Sequence, residues 1–168
     1  MKKPNILLLV FLAFGYSTAT AEKVSFPDED APLFSITIPD AWSPEFDDEG
    51  TLEAEDAEGH SYLAIWEEDT ETELTAVGED IDELLAEYAT DVKVPGKPES
   101  ITLAGMPGLV FTGTAKDKED GSGIGFEAVV LVIKGKGAAI IYFDYSADAP
   151  DSVAKSLVKI LESLKPAE

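Results

Sequence analysis

Two neighbouring stretches in the C-terminal half are apolar at every position, and they constrain the fold more than any other feature. Val129–Ile133 and Ala138–Phe143 lack the polar–apolar alternation of a half-exposed strand. Strands with this pattern are covered on both faces of a sheet. The residues GKG between the two stretches predict a hairpin. The chain must therefore place a packed layer on each side of its central strands.

Alternating apolar patterns predict further strands, and three-and-four spacing predicts two helices. The first helix is expected from Leu74 to Asp91. The second is expected to be capped by Asp148, with Pro150 in its first turn. The predicted strands cover residues 33–38, 51–56, 61–68, 99–105, 107–115, 125–134 and 138–146. The expected fold is α+β: a mainly antiparallel sheet of about six or seven strands with helices packed on both faces, an α/β/α sandwich.

The N-terminus has the layout of a secretory signal peptide. A basic start, an apolar run too short to span a bilayer and the small residues before Glu22 predict a signal peptide over residues 1–21. No cysteine follows it, so lipid anchoring is not expected. Residues 22–32 are expected to be a flexible lead-in, 33–165 a single globular domain and 166–168 a tail. The protein is expected to be exported and soluble, in a periplasm or outside the cell.

The charge distribution limits the classes of partner. The chain carries 34 acidic residues, 12 basic residues and a formal net charge of −22, and all basic residues are lysine. Most of the acidic residues lie before residue 92. Nucleic acids and anionic membrane surfaces are therefore not expected as partners, since both need a basic footprint. A basic protein partner and low-affinity association with divalent cations remain open.

The two tryptophans each have two interpretations. Trp42 lies just beyond the strand FSITIP, and it serves either as an exposed platform for a ligand or as a plug over the end of the core. We expect the plug, because Pro39 fixes a turn that aims the side chain inward. Trp66 shares a strand face with Tyr62 and Ala64, so we expect it in the core.

Two apparent catalytic or phosphate-binding motifs are explained by local structure. Adjacent side chains in a strand point to opposite faces, so His60 and Ser61 are not expected to share a proton, and His60 is expected to be a solvated residue of the hairpin. The glycines of GSGIG, 121–125, precede a strand rather than the helix that a phosphate-binding loop requires. We therefore predict no catalytic and no cofactor-binding residues.

The run EFDDEGTLEAED partly matches a calcium-binding loop. Glu45, Asp47, Glu49 and Asp56 occupy the first, third, fifth and twelfth positions, but not all of these residue types are those of an EF-hand. The flanking residues predict a loop and a strand instead of two helices. These four residues are candidates for low-affinity calcium association, and no specific metal site is predicted.

Three segments resemble the PsbP/DcrB-like family, whose relatives include photosystem accessory subunits, bacterial envelope proteins and a Ran-binding branch. They are FSITIPDAW, ITLAGMPGLVFTGTA and APDSVAKSLVKILESLK, within residues 33–165. The resemblance implies an antiparallel sheet between helices and a non-catalytic accessory role. This chain departs from the envelope relatives in its missing lipid-anchoring cysteine and its acidity.

The leading functional hypothesis is an exported, non-enzymatic accessory or binding protein that contacts a protein partner through its acidic face. One alternative is a calcium-binding or salt-adapted acidic secreted protein. Another is an unrecognised acid-dependent hydrolase, which would require two buried carboxylates in a deep apolar cleft.

Overall fold

The computed structural model describes residues 21–68, 81–133 and 135–167. The strands in this part of the chain are β1 Ala21–Phe26, β2 Phe34–Pro39, β3 Glu45–Phe46, β4 Leu52–Glu55, β5 Ser61–Glu68, β6 Ala89–Lys93, β7 Glu99–Leu103, β8 Met106–Asp117, β9 Gly123–Ile133, β10 Gly137–Ser146 and β11 Lys165–Pro166. The α-helices are α1 Ile81–Leu84 and α2 Asp151–Glu162, and Asp40–Trp42 forms one turn of 3-10 helix.

The strands form two antiparallel sheets. The large sheet has the order β3-β4-β5-β10-β9-β8-β6, and β7 pairs with β8. The small sheet has the order β1-β2-β11. The two apolar strands identified in the sequence, β9 and β10, are neighbours in the large sheet and are joined by the expected hairpin.

Both faces of the central strands are buried, as their composition predicts. On one face, Val129, Leu131, Ile141 and Phe143 pack into a core with the small sheet and α2. On the other face, Val130, Ile140 and Tyr142 pack with α1 and the residues that follow it. Successive residues of β9 and β10 therefore contribute alternately to the two cores.

The predicted α/β/α sandwich is wrong. One face of the large sheet is covered mainly by a second β-sheet, with only α2 added, and the protein is mostly β. The opposite face is covered in the described part by the short α1 and the adjoining Leu85 and Ala89. An uninterrupted apolar strand requires burial on both faces, but that requirement does not determine whether a helix or a strand provides the cover.

The segment predicted as one helix from Leu74 to Asp91 is only partly described. Residues 74–80 lie outside the described residues, Ile81–Leu84 is helical, and strand β6 begins at Ala89. The predicted C-terminal end of this helix is therefore wrong. The edge of the large sheet provides β6 with hydrogen-bonding partners on β8, and this tertiary pairing overrides the local helical pattern.

Both predicted terminal extensions contain strands of the small sheet. β1 crosses the expected lead-in, and its Phe26 is fully buried. Ala167 in the expected tail donates its backbone N–H to the Leu33 carbonyl at 3.0 Å, next to β11. The expected Asp148 cap is also wrong, because α2 begins after Pro150 without a side-chain capping bond.

Candidate functional site

A strongly charged concavity lies on the α1 side of the large sheet. Its volume is about 510 Å³. We call it the acidic hollow. It is lined by Glu53, Glu55, Tyr62, Glu87, Tyr88, Asp117, Lys118, Glu119 and Asp144. Six of these side chains are carboxylic acids and one is a lysine.

The register of the large sheet places the floor of the hollow. Glu55 on β4 lies opposite Tyr62 on β5, and Tyr62 lies opposite Asp144 on β10. These three side chains therefore form one row across neighbouring strands. The row continues through Phe126 to Gly113, where an added Cβ would lie 2.7 Å from the Phe126 ring. Glycine at position 113 thus allows the aromatic core to support this row.

Asp144 is a buried carboxyl in the floor of the hollow. Its side chain is 9% exposed, and burial raises its pKa to about 6. The Tyr142 hydroxyl donates a hydrogen bond to Asp144 Oδ2 at 2.9 Å and partly opposes this rise, because it stabilises the ionised form. The nearby charge of Asp117 raises the pKa of Asp144 further. Asp144 therefore changes charge at a mildly acidic pH.

Aromatic rings line the hollow between its carboxylates. The ring centroid of Tyr88 lies 5.9 Å from Tyr62, 5.2 Å from Trp66 and 5.3 Å from Tyr142. The Tyr62 hydroxyl donates a hydrogen bond to Glu53. Burial raises the pKa of Tyr88 to about 12, so this phenol stays neutral at physiological pH. Neutral aromatic rings beside carboxylates form an environment that attracts organic cations.

The charge of the hollow is poorly neutralised by the protein itself. Lys118 is exposed, and its Nζ donates to the Ala86 carbonyl at 2.8 Å. Asp117 accepts backbone N–H groups of Glu119 and Asp120 at 2.7 and 2.9 Å. In the described part of the chain, no group of three or more histidine, aspartate or glutamate side chains is arranged to hold a metal ion. With six carboxylic acids and one lysine, the hollow is therefore strongly negative when its carboxyls are ionised.

The structure does not bring the four calcium candidates together in one concavity. Asp47 accepts the N–H groups of Glu49 and Thr51, both at 2.8 Å, in the β3–β4 turn. Asp56 accepts the N–H group of Ser61 at 2.7 Å in the β4–β5 turn, at the other end of β4. Glu45 and Asp56 line a depression beside the acidic hollow, and Glu49 lines another. The structure therefore gives Asp47 and Asp56 roles in shaping turns.

The structure confirms that Trp42 is a plug. Pro39 ends β2, the 3-10 turn directs the indole into the core beneath the small sheet, and 4% of Trp42 remains exposed. Trp66 lies on the predicted face with Tyr62 and Ala64, but it is only partly buried. It lines a depression that shares Glu87 and Tyr88 with the acidic hollow.

The two dismissed motifs have the expected local roles. The Ser61 hydroxyl donates to the Asp144 carbonyl, while His60 Nε2 lies 3.4 Å from Glu58 Oε2. The two residues therefore do not form a base–nucleophile pair. Gly121 has a φ of +74° in the turn between β8 and β9, and Gly123 begins β9. The GSGIG run is a hairpin connection.

Sequence reasoning missed Asp144 and Tyr142. The segment FDYS follows an apolar strand, and its aspartate ends the uninterrupted apolar pattern. The sequence pattern that could have indicated Asp144 is a single acidic residue at the end of a strand that is otherwise buried on both faces. Such a residue lies at the point where one face of the sheet is no longer covered. Its partner Tyr142 was assigned only to the core.

Comparisons with known proteins identify related folds. No protein family and no curated protein matches the chain. PA94 from Pseudomonas aeruginosa, a protein of unknown function, aligns at 11% identity and a TM-score of 0.53, over 88% of this chain and 99% of its own. LpqN of Mycobacterium tuberculosis, which is involved in cell envelope biogenesis, aligns at 14% identity and a TM-score of 0.51, over 89% of this chain and 91% of its own.

A third similar structure comes from Bacteroides thetaiotaomicron. It aligns at 15% identity and a TM-score of 0.52 over 81% of this chain, which spans 46% of that protein's length. Residues 21–68, 81–133 and 135–167 contain no helix that is long and apolar enough to cross a membrane. At these identities the comparisons establish a shared fold.

Proposed function

We propose that this protein is an exported, non-catalytic binding protein that holds a basic segment of a protein partner in the acidic hollow. The single observation that carries the proposal is the composition of this concavity, in which six carboxylic acids and one lysine surround two partly buried tyrosines. Lysine and arginine side chains of a partner would supply the missing positive charge.

The geometry favours a chain with several cationic groups over a single small cation. Two further acidic depressions adjoin the hollow: one shares Glu53, Glu55 and Tyr62 with it, and the other shares Glu87 and Tyr88. A basic segment could therefore contact carboxylates along a continuous surface. The attraction between exposed charges decays over about 10 Å at 0.1 M salt, so binding should depend strongly on ionic strength.

Export and an accessory role are parts of the same proposal. The signal-peptide pattern of residues 1–21 supports export. The fold shared with LpqN, a protein of cell envelope biogenesis, supports a place in or beyond the envelope. The resemblance to PsbP/DcrB-like proteins supports an accessory role without catalysis. Asp144 is the one carboxyl buried within the described residues, so the paired buried acids of the hydrolase alternative lack support there.

A short oligolysine peptide is a direct probe of the proposal. Its binding to the mature protein can be followed by the fluorescence of Trp66, which lies beside Tyr88. The variant Glu55→Gln/Glu87→Gln removes two charges from the hollow. The matched control Glu99→Gln/Glu162→Gln removes two exposed charges, one on β7 and one at the end of α2. We expect the first pair to weaken binding several-fold more than the second.

The salt and cation dependence completes the test. Raising the salt concentration should weaken oligolysine binding steeply, because the contacts are exposed ion pairs. Equal losses in the two double variants would refute binding in the hollow, since they would show attraction to net charge alone. Competition by calcium at low concentrations, with no oligolysine preference for the hollow, would instead favour the calcium-binding alternative.

A further inference from the structure

A second concavity lies on the opposite face of the large sheet, between α2 and strands β9 and β10. It has a volume of about 320 Å³. We call it the apolar cleft, and its main walls are Phe143 and Tyr145 of β10, Glu127 of β9, and Val153, Leu157 and Leu161 of α2. Small-molecule sites have volumes from about 300 Å³ upward and predominantly apolar walls. The cleft falls at the lower end of that range.

The cleft remains open because α2 covers only part of this face. Val153, Leu157 and Ile160 of α2 are buried against the core beneath the small sheet. Val158 follows Leu157 in α2 and lines the cleft. It is 54% exposed although its side chain is large and apolar. Leu161 is only partly buried. The helix therefore presents apolar surface to a space that the described residues do not fill.

The register of β9 and β10 and one close contact fix the position of the aromatic side chains on the sheet side of the cleft. Tyr145 lies opposite Gly125 in the register of β9 and β10, and an added Cβ on Gly125 would lie 2.5 Å from the tyrosine ring. The tyrosine ring therefore occupies the space that a side chain at position 125 would need. Phe143 lies opposite Glu127 in the same pair of strands. These contacts hold one aromatic wall beside one carboxyl group.

The Glu127 carboxyl is not paired with a cationic group among the described residues. It is half-buried, and neither a hydrogen bond nor an ion pair joins it to another described group. Its burial raises its pKa. The described residues that line the cleft include no lysine, arginine or histidine, and the second acidic side chain among them is Asp151. A half-buried carboxylate is stabilised by a cation that reaches it.

We propose that the apolar cleft binds a small hydrophobic amine, with its ammonium group at Glu127 and its hydrocarbon part between Phe143 and the apolar side chains of α2. The charge of the cleft selects the amine: an anionic amphiphile of the same length would meet Glu127 and Asp151 and be repelled. A water molecule takes about 30 Å³ in the liquid, so a cleft of about 320 Å³ has room for a short alkylamine.

Hexylammonium, hexanol and hexanoate are matched probes of this site. Each can be titrated into the mature protein and followed by NMR shifts of residues in β9, β10 and α2. We expect hexylammonium to bind most tightly, hexanol to bind more weakly and hexanoate least. Glu127→Gln should weaken hexylammonium binding roughly tenfold or more, because a charge-assisted hydrogen bond is lost. It should leave hexanol binding nearly unchanged.

Controls separate the cleft from general attraction to an acidic protein. Glu99→Gln on β7 removes the same charge outside both concavities and should leave hexylammonium binding unchanged. Ala154→Leu adds bulk at an exposed position in the cleft wall and should abolish binding while the unfolding temperature stays the same. The proposal is overturned if hexanoate binds as tightly as hexylammonium, if Glu127→Gln has no selective effect, or if no probe saturates the site.

Discussion

Consecutive residues of strand β10 line the acidic hollow and the apolar cleft in turn. Asp144 of β10 faces the hollow, whereas its neighbours Phe143 and Tyr145 face the cleft. Each concavity contains a carboxyl group whose pKa is raised by burial. The two carboxyl groups differ in their surroundings. Asp144 accepts a hydrogen bond from Tyr142 and lies among other acids. Glu127 lies mainly among apolar side chains and makes no hydrogen bond or ion pair with a described residue.

This difference indicates two kinds of recognition on one sheet. In the hollow, many exposed charges attract a partner over a distance that salt can screen. In the cleft, one carboxyl and a hydrocarbon wall act only at contact, so salt should affect binding much less. The comparison can be tested with variants that alter one region while the other serves as the reference.

The largest effect is expected from Leu157→Ala in the wall of the cleft. Leu157 is 4% exposed and anchors α2 to the core. Its truncation should lower the free energy of unfolding by about 2–5 kcal/mol, as for other buried leucines. Val158→Ala, on the adjacent exposed position, should change it by no more than about 0.5 kcal/mol. Chemical denaturation measures both, and equal effects would contradict the packing of α2 described above.

The next largest effect is expected from Asp144→Asn in the hollow, and its sign is opposite. Folding raises the pKa of Asp144 from an ordinary 3.8 to about 6, so the folded state binds the proton more tightly. This contribution to stability is fully present below about pH 4 and is lost as pH rises through about 6. The amide should therefore increase the free energy of unfolding at pH 8 by about 1–3 kcal/mol.

Denaturation curves of both proteins between pH 4 and pH 8 measure this effect. The advantage of Asp144→Asn should shrink toward pH 4, where the aspartate of the parent protein is protonated. A stability difference that is constant across this range would show that Asp144 has an ordinary pKa in the folded protein.

A smaller loss is expected from Tyr142→Phe beneath the hollow. The tyrosine is fully buried, and its hydroxyl stabilises the ionised Asp144. Removing the hydroxyl should cost about 1–2 kcal/mol at pH 8 and less at pH 4. In the Asp144→Asn background the cost at pH 8 should also fall, since the charge is gone. A double-mutant cycle measures this coupling, and the absence of coupling would place the hydroxyl's role elsewhere.

The smallest effect on stability is expected from Glu127→Gln in the cleft. Its pKa is raised by burial, so its contribution also declines as pH rises, and the amide should stabilise the protein slightly above neutral pH. The gain should be smaller than that of Asp144→Asn, because Glu127 is less buried. Thermal denaturation compares the two variants, and the reverse order would mean that Glu127 is the more strongly desolvated group.

The sequence predicts most strands of this fold but not its layers. Continuous apolar positions correctly predict that β9 and β10 are buried on both faces, and hairpin turns predict their antiparallel pairing. Covering a sheet requires only apolar surface of the right shape, so β1 and β11 could not be recognised as a second sheet from their local composition. Long-range pairing with β2 creates both of them.

The candidate sites were predictable only in their overall charge. Trp42 was correctly assigned to the core because a proline-fixed turn limits where its side chain can go. Asp144 and Glu127 each lie in apolar strands, and their importance comes from neighbours on other strands and on α2. These neighbours are determined by the strand register and by the elements that pack on each face of the sheet. Local sequence patterns determine neither.

The most direct test of the proposed function is an NMR titration of the mature protein with oligolysine. The account predicts saturable shifts concentrated at Tyr62, Tyr88, Lys118 and Asp144, with residues of α2 and the apolar cleft unaffected. Shifts that are spread evenly over acidic residues such as Glu29, Glu99 and Glu162 would contradict a binding site in the acidic hollow.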